Sequence, residues 1–329
     1  MKVLITGSSG LIGRWVAGYL KNQGDQVIGL DKTLIQDNTG CSEQINCDLL
    51  DRQTLISQVR RVCPDALIHL AARTDLKETK DIRGYAANID GVDNLIEAVR
   101  QTPSIRRAIY TSSQLVCRIG YIPSGDKDYC PNTLYGQSKV LTEKLVRQHD
   151  GGGIPWCLTR PTTVWGPYMN PHYQNMLRLI RKGLYFHCGR SKLYKSYAYA
   201  GNIAHQYAQL LKAPADLISG KTFYLADYEP LSLREYADGL AREMGASKIR
   251  TLPLALSRMM AWAGDFINLC GLKSFPFNSF RLNNILTEYV YDLSSTKAVC
   301  GPALFSAQEG IKETARWFMA QETTDGGRK

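Results

Sequence analysis

The chain has 329 residues, of which 44% are apolar and 21% are charged, and it carries a net charge of +10. This composition is that of ordinary soluble proteins, so it excludes wholesale disorder and fibrous assembly. The length suits two domains, or one large domain with a cap. The basic excess fits an anionic ligand and does not require nucleic acid, so we expect no nucleic-acid partner.

The nine cysteines are spread along the chain, and none forms a Cys-x-x-Cys pair or a zinc-finger arrangement with histidine. This usage is typical of reduced thiols, so we expect a cytoplasmic protein without a metal site. No apolar run reaches the roughly 18 residues of a membrane span, so we expect no membrane-spanning helix. The most apolar stretch, residues 252–272, is interrupted by Arg258 and Asp265. It is predicted as an amphipathic or buried helix, with contact to a membrane surface as the alternative.

The first half of the chain alternates short apolar runs with longer amphipathic stretches. The predicted strands are residues 2–6, 26–30, 65–70, 107–111 and 156–159, and the predicted helices are residues 11–22, 89–101 and 133–149. Strands that alternate with helices in this way are typical of βαβ units with right-handed crossovers. The sequence therefore predicts an α/β fold with a doubly wound parallel sheet.

The second half is divided more often by proline and glycine. Ser232 and Glu235 form a capping-box pattern that opens a helix over 233–244, and a last helix is predicted over 307–320. We therefore expect a first domain over 1–167 and a smaller C-terminal α/β cap over 168–329. Later segments of the chain can still return to the first sheet.

Three glycines follow the first predicted strand and open the first helix. Gly7 permits a tight turn, Gly10 lets the backbone approach a diphosphate, and Gly13 lets the helix pack on the strand. A diphosphate at this position would face the amide groups and the positive end of the helix dipole. A glycine triplet alone is weak evidence, but its place between a strand and a helix indicates a dinucleotide site.

Asp31 ends the second strand, where a carboxylate accepts hydrogen bonds from the adenosine ribose and repels a 2′-phosphate. This position favours NAD over NADP, and the neighbouring Lys32 weakens the preference slightly. Asp48 ends a third short segment and can reach the adenine amino group. The alternative is that Asp48 caps a helix over 51–61.

Tyr135 and Lys139 are spaced so that they share one face of a predicted helix. A nearby ammonium group lowers the pKa of a phenol, so the pair can exchange a proton with a substrate hydroxyl or carbonyl. Thr111, Ser112 and Ser113 end a predicted strand at the edge of the sheet where ligands bind. The three features together indicate a hydride-transfer site, although each alone is common.

These features together resemble the extended short-chain dehydrogenase/reductase superfamily, in its nucleotide-sugar epimerase/dehydratase branch. The stretches that carry the resemblance are collinear with the family over 1–167. They are residues 6–13, 69–72, 88–98, 111–113, 135–139 and 160–167. The resemblance implies a Rossmann domain that binds NAD, a substrate-binding cap and a homodimer formed through the helices at 89–101 and 134–149.

The resemblance also implies roles for the matched positions. Ser113 corresponds to the hydroxyl that bonds the reacting substrate oxygen, Tyr135 to the acid/base, and Lys139 to the residue that binds the nicotinamide ribose. Asn88 would support the site from the helix after the fourth strand. The other positions expected to line the cofactor groove are Leu11, Ile12, Leu49, Leu70, Ala71, Ala72, Thr111, Pro161 and Thr163.

Three departures from the family pattern bear on the reaction. Sugar dehydratases of the family place an Asp-Glu pair after the active-site threonine, whereas Ser112 and Ser113 stand here, followed by Gln114. This substitution disfavours a dehydratase. Cys117 and Thr163 replace a frequent tyrosine and asparagine, which concerns substrate geometry more than hydride chemistry.

The sequence is therefore interpreted as an NAD-dependent epimerase, acting at C4 of a nucleotide sugar. Ser112, Arg190 and Arg281 are the candidate substrate contacts, although Arg190 equally fits a solvated basic loop and Arg281 equally fits a purely structural role. The first alternative is a keto-sugar reductase or a 3β-hydroxysteroid-type dehydrogenase. A non-catalytic NAD-binding protein is the second alternative, and the complete set of Ser113, Tyr135 and Lys139 argues against it.

Overall fold

The computed structural model describes residues 1–36, 40–270 and 277–326, without the side chains of residues 172 and 324–326. The chain forms two compact units. The first consists of residues 1–168, 198–228 and 291–304, and the second consists of residues 169–197, 229–290 and 305–329. Each unit is therefore built from several segments of the chain.

The strands, in chain order, are β1 (Lys2–Thr6), β2 (Gln26–Asp31), β3 (Glu43–Asn46), β4 (Ala66–His69), β5 (Ala108–Thr111), β6 (Trp156–Pro161), β7 (Thr163–Trp165), β8 (Phe186–Cys188), β9 (Tyr194–Lys195), β10 (Tyr197–Tyr199), β11 (Lys221–Leu225), β12 (Leu231–Ser232) and β13 (Arg250–Leu252).

The α-helices are α1 (Leu11–Asn22), α2 (Arg52–Val62), α3 (Ala86–Arg100), α4 (Leu134–Gln148), α5 (Pro171–Arg181), α6 (Ala200–Lys212), α7 (Ala215–Ile218), α8 (Leu233–Glu243), α9 (Leu254–Leu269), α10 (Ser279–Leu286), α11 (Ser294–Cys300) and α12 (Ala307–Gly326). Short 3₁₀ turns occur at Ile82–Tyr85, Gln114–Val116 and Asp150–Gly152.

The first unit is organised by a seven-stranded sheet in the order β11-β6-β5-β4-β1-β2-β3. Every pairing in this sheet is parallel. Helices cover both faces, so the predicted doubly wound α/β fold is confirmed. The edge strand β11 was not predicted from the sequence.

Burial on both faces explains why the strands are apolar along their whole length. In β1, Val3 and Ile5 pack into the core under α1 and α6, whereas Leu4 packs into the opposite core under α2 and α3. Alternate side chains of a strand point to opposite faces, so a strand between two helical layers needs apolar residues at every position.

The carboxyl ends of β1, β4 and β5 meet at one edge of the sheet. Thr6 pairs with His69 across the β1–β4 ladder, and Thr111 is level with Thr159 of β6. The glycine turn and the Ser112–Ser113 segment continue from this edge. Parallel pairing therefore gathers residues that are far apart in the sequence.

The second unit contains two small sheets and several helices. Strand β8 pairs with β13 in parallel, and β9 pairs with β12 antiparallel. Helix α8 begins at the predicted capping box, in which Ser232 and Glu235 exchange hydrogen bonds, and it packs against α12 at Gly239 and Ile311. Within the described residues, we find no helix whose length and apolar character would let it cross a membrane.

Candidate active site

The glycine turn between β1 and α1 has almost no room for side chains. Gly7 has a φ of +73°, and a Cβ there would lie 2.5 Å from the amide nitrogen of Ala71. A Cβ on Gly13 would lie 2.2 Å from the Gly7 carbonyl oxygen. Gly10 precedes the first turn of α1 and caps it with no side-chain hydrogen bond. No side chain therefore caps the first amides of α1, and a helix N-terminus of this kind fits a diphosphate.

Asp31 is held at the edge of this turn. One carboxylate oxygen accepts the Ser9 amide at 3.0 Å, and the other accepts the Thr33 amide at 3.0 Å. Lys32 is exposed beside it. The remaining lone pairs of the Asp31 carboxylate can accept hydrogen bonds from ribose hydroxyls, since an ionised carboxylate has about four acceptor positions.

We predict that NAD binds much more tightly than NADP, because Asp31 would lie against a 2′-phosphate. Asp31→Ala should narrow the difference between the two dissociation constants, which titration calorimetry measures. The Asp31 carboxylate also holds the Ser9 amide, so the variant should weaken NAD binding as well. Equal affinities of the unmodified protein for both cofactors would contradict the prediction.

Asp48 and Leu49 lie at the end of β3. Asp48 is exposed and accepts the Leu50 amide at 3.0 Å, so it forms a local turn. The helix cap is Asp51, which accepts the Thr54 amide, so the alternative that Asp48 caps α2 is wrong. The Leu49 side chain is buried in the core, which leaves its main chain for any contact with a cofactor.

The segment after β4 forms the wall opposite the glycine turn. Leu70, Ala71 and Ala72 are partly exposed there, as a groove requires. Asn88, on α3, accepts the Arg73 amide at 2.8 Å and donates both to the Arg73 carbonyl and to Ser138 on α4. Asn88 is therefore a positioning residue that ties the wall of the groove to the helix carrying Tyr135.

Tyr135 and Lys139 lie one turn apart on α4, and both are buried. The Lys139 ammonium donates to the main-chain carbonyl of Thr111 at 2.9 Å. Burial lowers the pKa of Lys139 to about 8, while the carboxylate of Glu143 acts in the opposite direction. A buried ammonium one turn from a phenol favours the phenolate, which is the electrostatic requirement of an acid/base tyrosine.

The pKa of Lys139 leads to a stability prediction. Since the folded protein binds this proton less tightly than the unfolded chain, the charged group costs stability below pH 8, and the cost disappears towards pH 10.5. Lys139→Met lacks this cost at every pH. The free energy of unfolding of the variant, minus that of the unmodified protein, should therefore be about 2–3 kcal/mol lower at pH 10 than at pH 7. Urea unfolding of the NAD-free proteins at both pH values measures it, and a difference independent of pH would contradict it.

Three polar residues follow β5, directly after Thr111, whose carbonyl holds Lys139. Ser113 accepts the Leu115 amide through its hydroxyl oxygen at 3.1 Å, so its proton remains available to donate. The Ser112 hydroxyl and the Gln114 amide oxygen are buried and have no hydrogen-bond partner among the described residues. Buried polar atoms usually have a partner, so these two indicate a position that a polar ligand occupies.

The side chain of Thr111 points away from this position. Its hydroxyl lies 2.7 Å from the hydroxyl of Tyr207, on α6, which also lies 3.0 Å from the Thr159 hydroxyl. Thr111 therefore acts on the site through its carbonyl, which holds Lys139. Pro161 ends β6, and Thr163 accepts a long hydrogen bond from Gln114 at 3.4 Å.

His69 was part of a matched stretch but had no predicted role. Its ring is completely buried, Nδ1 lies 2.7 Å from the Thr6 hydroxyl, and Nε2 has no hydrogen-bond partner among the described residues. Burial, helped by the positive charge of Lys139, lowers the pKa of His69 to about 3. The imidazole is therefore neutral at working pH. Only its position at the end of β4 could have identified it from the sequence.

A buried ion pair lies one turn further along α4. The Arg160 guanidinium donates to both oxygens of Glu143 at 2.8 Å, and neither side chain is exposed. Arg160 also donates to the Tyr224 hydroxyl and to the Asp126 carbonyl, and Tyr129 donates to Glu143. Arg160 lies in a stretch that matches the family pattern, but the sequence did not predict its pairing with Glu143, because no spacing rule links residues on different elements.

Arg190 and Arg281 belong to the second unit, and both are exposed. Arg281 lies on α10, where its charge acts on the Tyr173 phenol and opposes the rise in its pKa caused by burial. The structure therefore adds no contact that assigns either arginine to a substrate. Their predicted roles stay predictions.

A sequence model of the family described as "NAD dependent epimerase/dehydratase family" matches residues 3–226. The chain belongs to this family. It is an NAD-dependent epimerase or oxidoreductase of the extended short-chain type, and NAD is its cofactor. The glycine turn, Asp31 and the unpartnered atoms of Ser112 and Gln114 fit that cofactor and a bound substrate.

Characterised relatives of the family member have different activities. A 2-alkyl-3-oxoalkanoate reductase of Stenotrophomonas maltophilia is 27% identical, over 76% of this chain and 77% of the relative. A 3 beta-hydroxysteroid dehydrogenase/Delta 5-->4-isomerase of Mycobacterium tuberculosis is 26% identical, over 97% and 90%. An N-acetyl-alpha-D-glucosaminyl-diphospho-ditrans,octacis-undecaprenol 4-epimerase of Escherichia coli O157:H7 is 24% identical, over 84% of each.

Solved structures with the same fold include UDP-glucose 4-epimerases. The enzyme from Thermotoga maritima, crystallised with UDP-glucose, superposes with a TM-score of 0.76 at 17% identity, over 98% of this chain and 100% of that one. The enzyme from Thermus thermophilus, in complex with NAD, gives 0.73 at 22% identity, over 97% and 99%. At this level of sequence identity, the structural similarity establishes the fold of this chain and nothing more.

Proposed function

We propose that this family member is a 4-epimerase of a hexose joined to a diphosphate, with a nucleotide sugar as the expected substrate. The glycine turn, Asp31 and Lys139 would hold NAD, which would supply a reversible hydride acceptor for the sugar carbon. The observation that carries the proposal is the combination of a buried Tyr135–Lys139 pair with a Ser113 hydroxyl that can still donate.

The three side chains divide the proton chemistry. The Ser113 hydroxyl donates a hydrogen bond to the reacting sugar oxygen and so orients that oxygen. It acts as a donor because the Ser113 oxygen already accepts the Leu115 amide. Tyr135 takes the proton from that oxygen and later returns it. Lys139, fixed on the Thr111 carbonyl, supplies the positive charge that stabilises the phenolate.

The residues after β5 argue against elimination of water. Dehydration needs an acid and a base beside the sugar, and Ser112, Ser113 and Gln114 provide no carboxylate. Ser112 and Gln114 instead offer unpartnered polar atoms that suit sugar hydroxyls. The site therefore favours a reaction in which the keto-sugar rotates within the site and is then reduced on its other face.

Charge supports a diphosphate substrate. Residues 169–197 include six Lys and Arg residues and no Asp or Glu, and Arg190 lies within this segment. A stretch of one sign raises the local concentration of an anionic substrate. Arg190 and Arg281 are the proposed diphosphate contacts, and Ser112 is the proposed sugar contact.

A net oxidoreductase is the second candidate. The steroid dehydrogenase of Mycobacterium tuberculosis aligns over almost the whole chain, and α9 exposes several large apolar side chains. Both observations fit an apolar alcohol or ketone that is released after a single hydride transfer. Such an enzyme must exchange its cofactor in every turnover.

The two candidates differ in redox balance, and we predict redox neutrality. The NAD-loaded enzyme is incubated with UDP-N-acetylglucosamine, UDP-glucose, N-acetylglucosaminyl-diphospho-undecaprenol or a 3β-hydroxysteroid. The correct sugar should be inverted at C4, detected by NMR, without a stoichiometric rise in NADH absorbance. Tyr135→Phe is the negative control. Stoichiometric NADH formation, or a requirement for added NADH, would assign the second candidate.

We also propose that the enzyme acts in the cytoplasm as a homodimer formed through α3 and α4. None of the nine cysteines, all of which lie within the described residues, forms a disulfide, which suits a reducing compartment. Leu141 is an exposed apolar side chain on α4, which suits a helix that packs against a partner. Light scattering of the purified protein measures the mass and tests the dimer.

A further inference from the structure

Helix α9 buries its small residues and exposes its large ones. The buried positions are Ser257, Ala261 and Gly264, which lie on a single face and let α9 pack closely within the second unit. The exposed apolar side chains are Leu256, Met259, Met260, Trp262, Phe266 and Leu269. A helix of a water-exposed surface normally has the opposite arrangement.

The exposure is too large to be the edge of a core. Trp262 is 66% exposed and Phe266 is 67% exposed, on successive turns of the same helix. Phe280, on the neighbouring helix α10, is also exposed. Scattered apolar side chains are normal on a protein surface, but a contiguous patch with aromatic residues marks an interaction surface.

The segment of the chain that carries this patch has a net positive charge. Residues 244–287 include five Lys and Arg residues and a single acidic residue, Asp265. One oxygen of Asp265 already accepts the Ser279 amide at the start of α10. Arg258 is exposed on α9 itself, and Lys248 and Arg250 are exposed shortly before it in the chain. The occupant of the patch should therefore be anionic as well as apolar.

We propose that the exposed face of α9 docks on the surface of a membrane that contains anionic lipids. A helix that exposes Trp, Phe and Leu next to basic residues lies in the interface, with the apolar side chains below the headgroups and basic side chains such as Arg258 beside the phosphates. Tryptophan in particular is enriched at that depth. The helix binds the surface and does not cross the bilayer.

A second copy of the chain fits the patch less well. A two-fold interface through α9 would bring the exposed Arg258 side chains of both copies into the same interface. Like charges that face each other across an interface disfavour association. An anionic lipid surface instead matches both the apolar and the basic character. This docking goes beyond the proposed function, since it requires no particular substrate.

The test is vesicle binding by the full-length protein, without any catalytic measurement. Vesicles of phosphatidylcholine with phosphatidylglycerol, or of phosphatidylcholine alone, are sedimented with the protein, and tryptophan fluorescence is recorded. The probe is Trp262, because Trp156 and Trp165 are buried and Trp15 and Trp317 are partly buried. The triple variant Met259→Ser, Trp262→Ser, Phe266→Ser is compared with Ile122→Ser, which changes an apolar residue 86% exposed on the first unit.

The unmodified protein and Ile122→Ser should bind the anionic vesicles with a blue shift of the fluorescence. In the sedimentation assay, which does not need the Trp262 probe, the triple variant should bind the anionic vesicles at least about tenfold more weakly. The reason is that its apolar face no longer enters the membrane interface. Circular dichroism and thermal unfolding check that the variant is folded. Arg258→Glu should weaken binding to anionic vesicles in a salt-dependent way.

Three results would overturn the proposal. The first is no binding of the unmodified protein to anionic vesicles, and the second is equal binding by the folded triple variant. The third is a loss of oligomer mass in the triple variant without any effect of vesicles, which would assign the patch to a second copy of the chain. Equal binding to neutral vesicles would contradict the anionic part of the proposal.

Discussion

Tyr135→Phe is expected to lower turnover by about 10²–10⁴-fold, the range for loss of a general acid/base. The ring of Tyr135 is buried, with the ring of Tyr85 6.0 Å away, and phenylalanine preserves this packing. Only the phenol oxygen that exchanges the substrate proton is lost. Affinity for NAD should therefore change little. Steady-state kinetics on the substrate identified by the redox-neutrality experiment, with calorimetry for NAD, measure both quantities.

The matched control for this variant is Tyr85→Phe. The Tyr85 hydroxyl donates to the main-chain carbonyl of Asp75 at 2.6 Å, so its loss should reduce stability by about 1 kcal/mol. Turnover should be nearly unchanged, because this hydroxyl is already committed to the backbone. Tyr135→Phe with the turnover of the unmodified enzyme would remove Tyr135 from the proposed mechanism, whichever substrate is used.

Glu143→Gln is expected to destabilise the protein by about 3–5 kcal/mol, because it leaves the buried charge of Arg160 without its partner. Both side chains of this pair are fully buried, and two 2.8 Å hydrogen bonds join them. The remaining partners of Arg160, the Asp126 carbonyl and the Tyr224 hydroxyl, are neutral. They cannot replace the lost charge. The free energy of unfolding from urea titration measures the effect.

Two controls accompany this variant. Replacing both partners, as Glu143→Leu with Arg160→Met, should recover much of the loss, because an apolar pair needs no compensation for buried charge. Arg61→Ala breaks the exposed pair with Glu43 and should change stability by less than about 1 kcal/mol. A Glu143→Gln effect as small as that of Arg61→Ala would contradict the assignment of a buried, energetically coupled pair.

The sequence by itself determined the cofactor half of the fold. Strand β1 and helix α1 have the predicted limits, Lys2–Thr6 and Leu11–Asn22. The reason is that an apolar run, a glycine turn and an amphipathic helix are local signals that need no distant partner. Tyr135 and Lys139 were likewise predicted on one helix face, since helical spacing is local.

The residues at which helices begin, and the residues that cap them, were predicted less accurately from the sequence. Asp51 caps α2 in place of Asp48, because the helix starts at Arg52 and the Asp51 carboxylate accepts the Thr54 amide, whereas Asp48 accepts the Leu50 amide before the helix. Helix α3 begins at Ala86, three residues before the predicted start. Several nearby residues can end an element, and packing against the sheet selects among them.

Only the tertiary structure decided the contacts between distant segments. The edge strand β11 pairs with β6, Arg160 of β6 finds Glu143 on α4, and His69 lies close enough to Lys139 for its charge to lower the pKa of the ring. These pairings join residues from separate elements, and no spacing in the chain encodes them. The sequence predicted a helix within 252–272, but which face α9 exposes depended on its neighbours. Burial of Ser257 and exposure of Trp262 result from close packing on small residues, which a hydrophobic pattern read along the chain does not reveal.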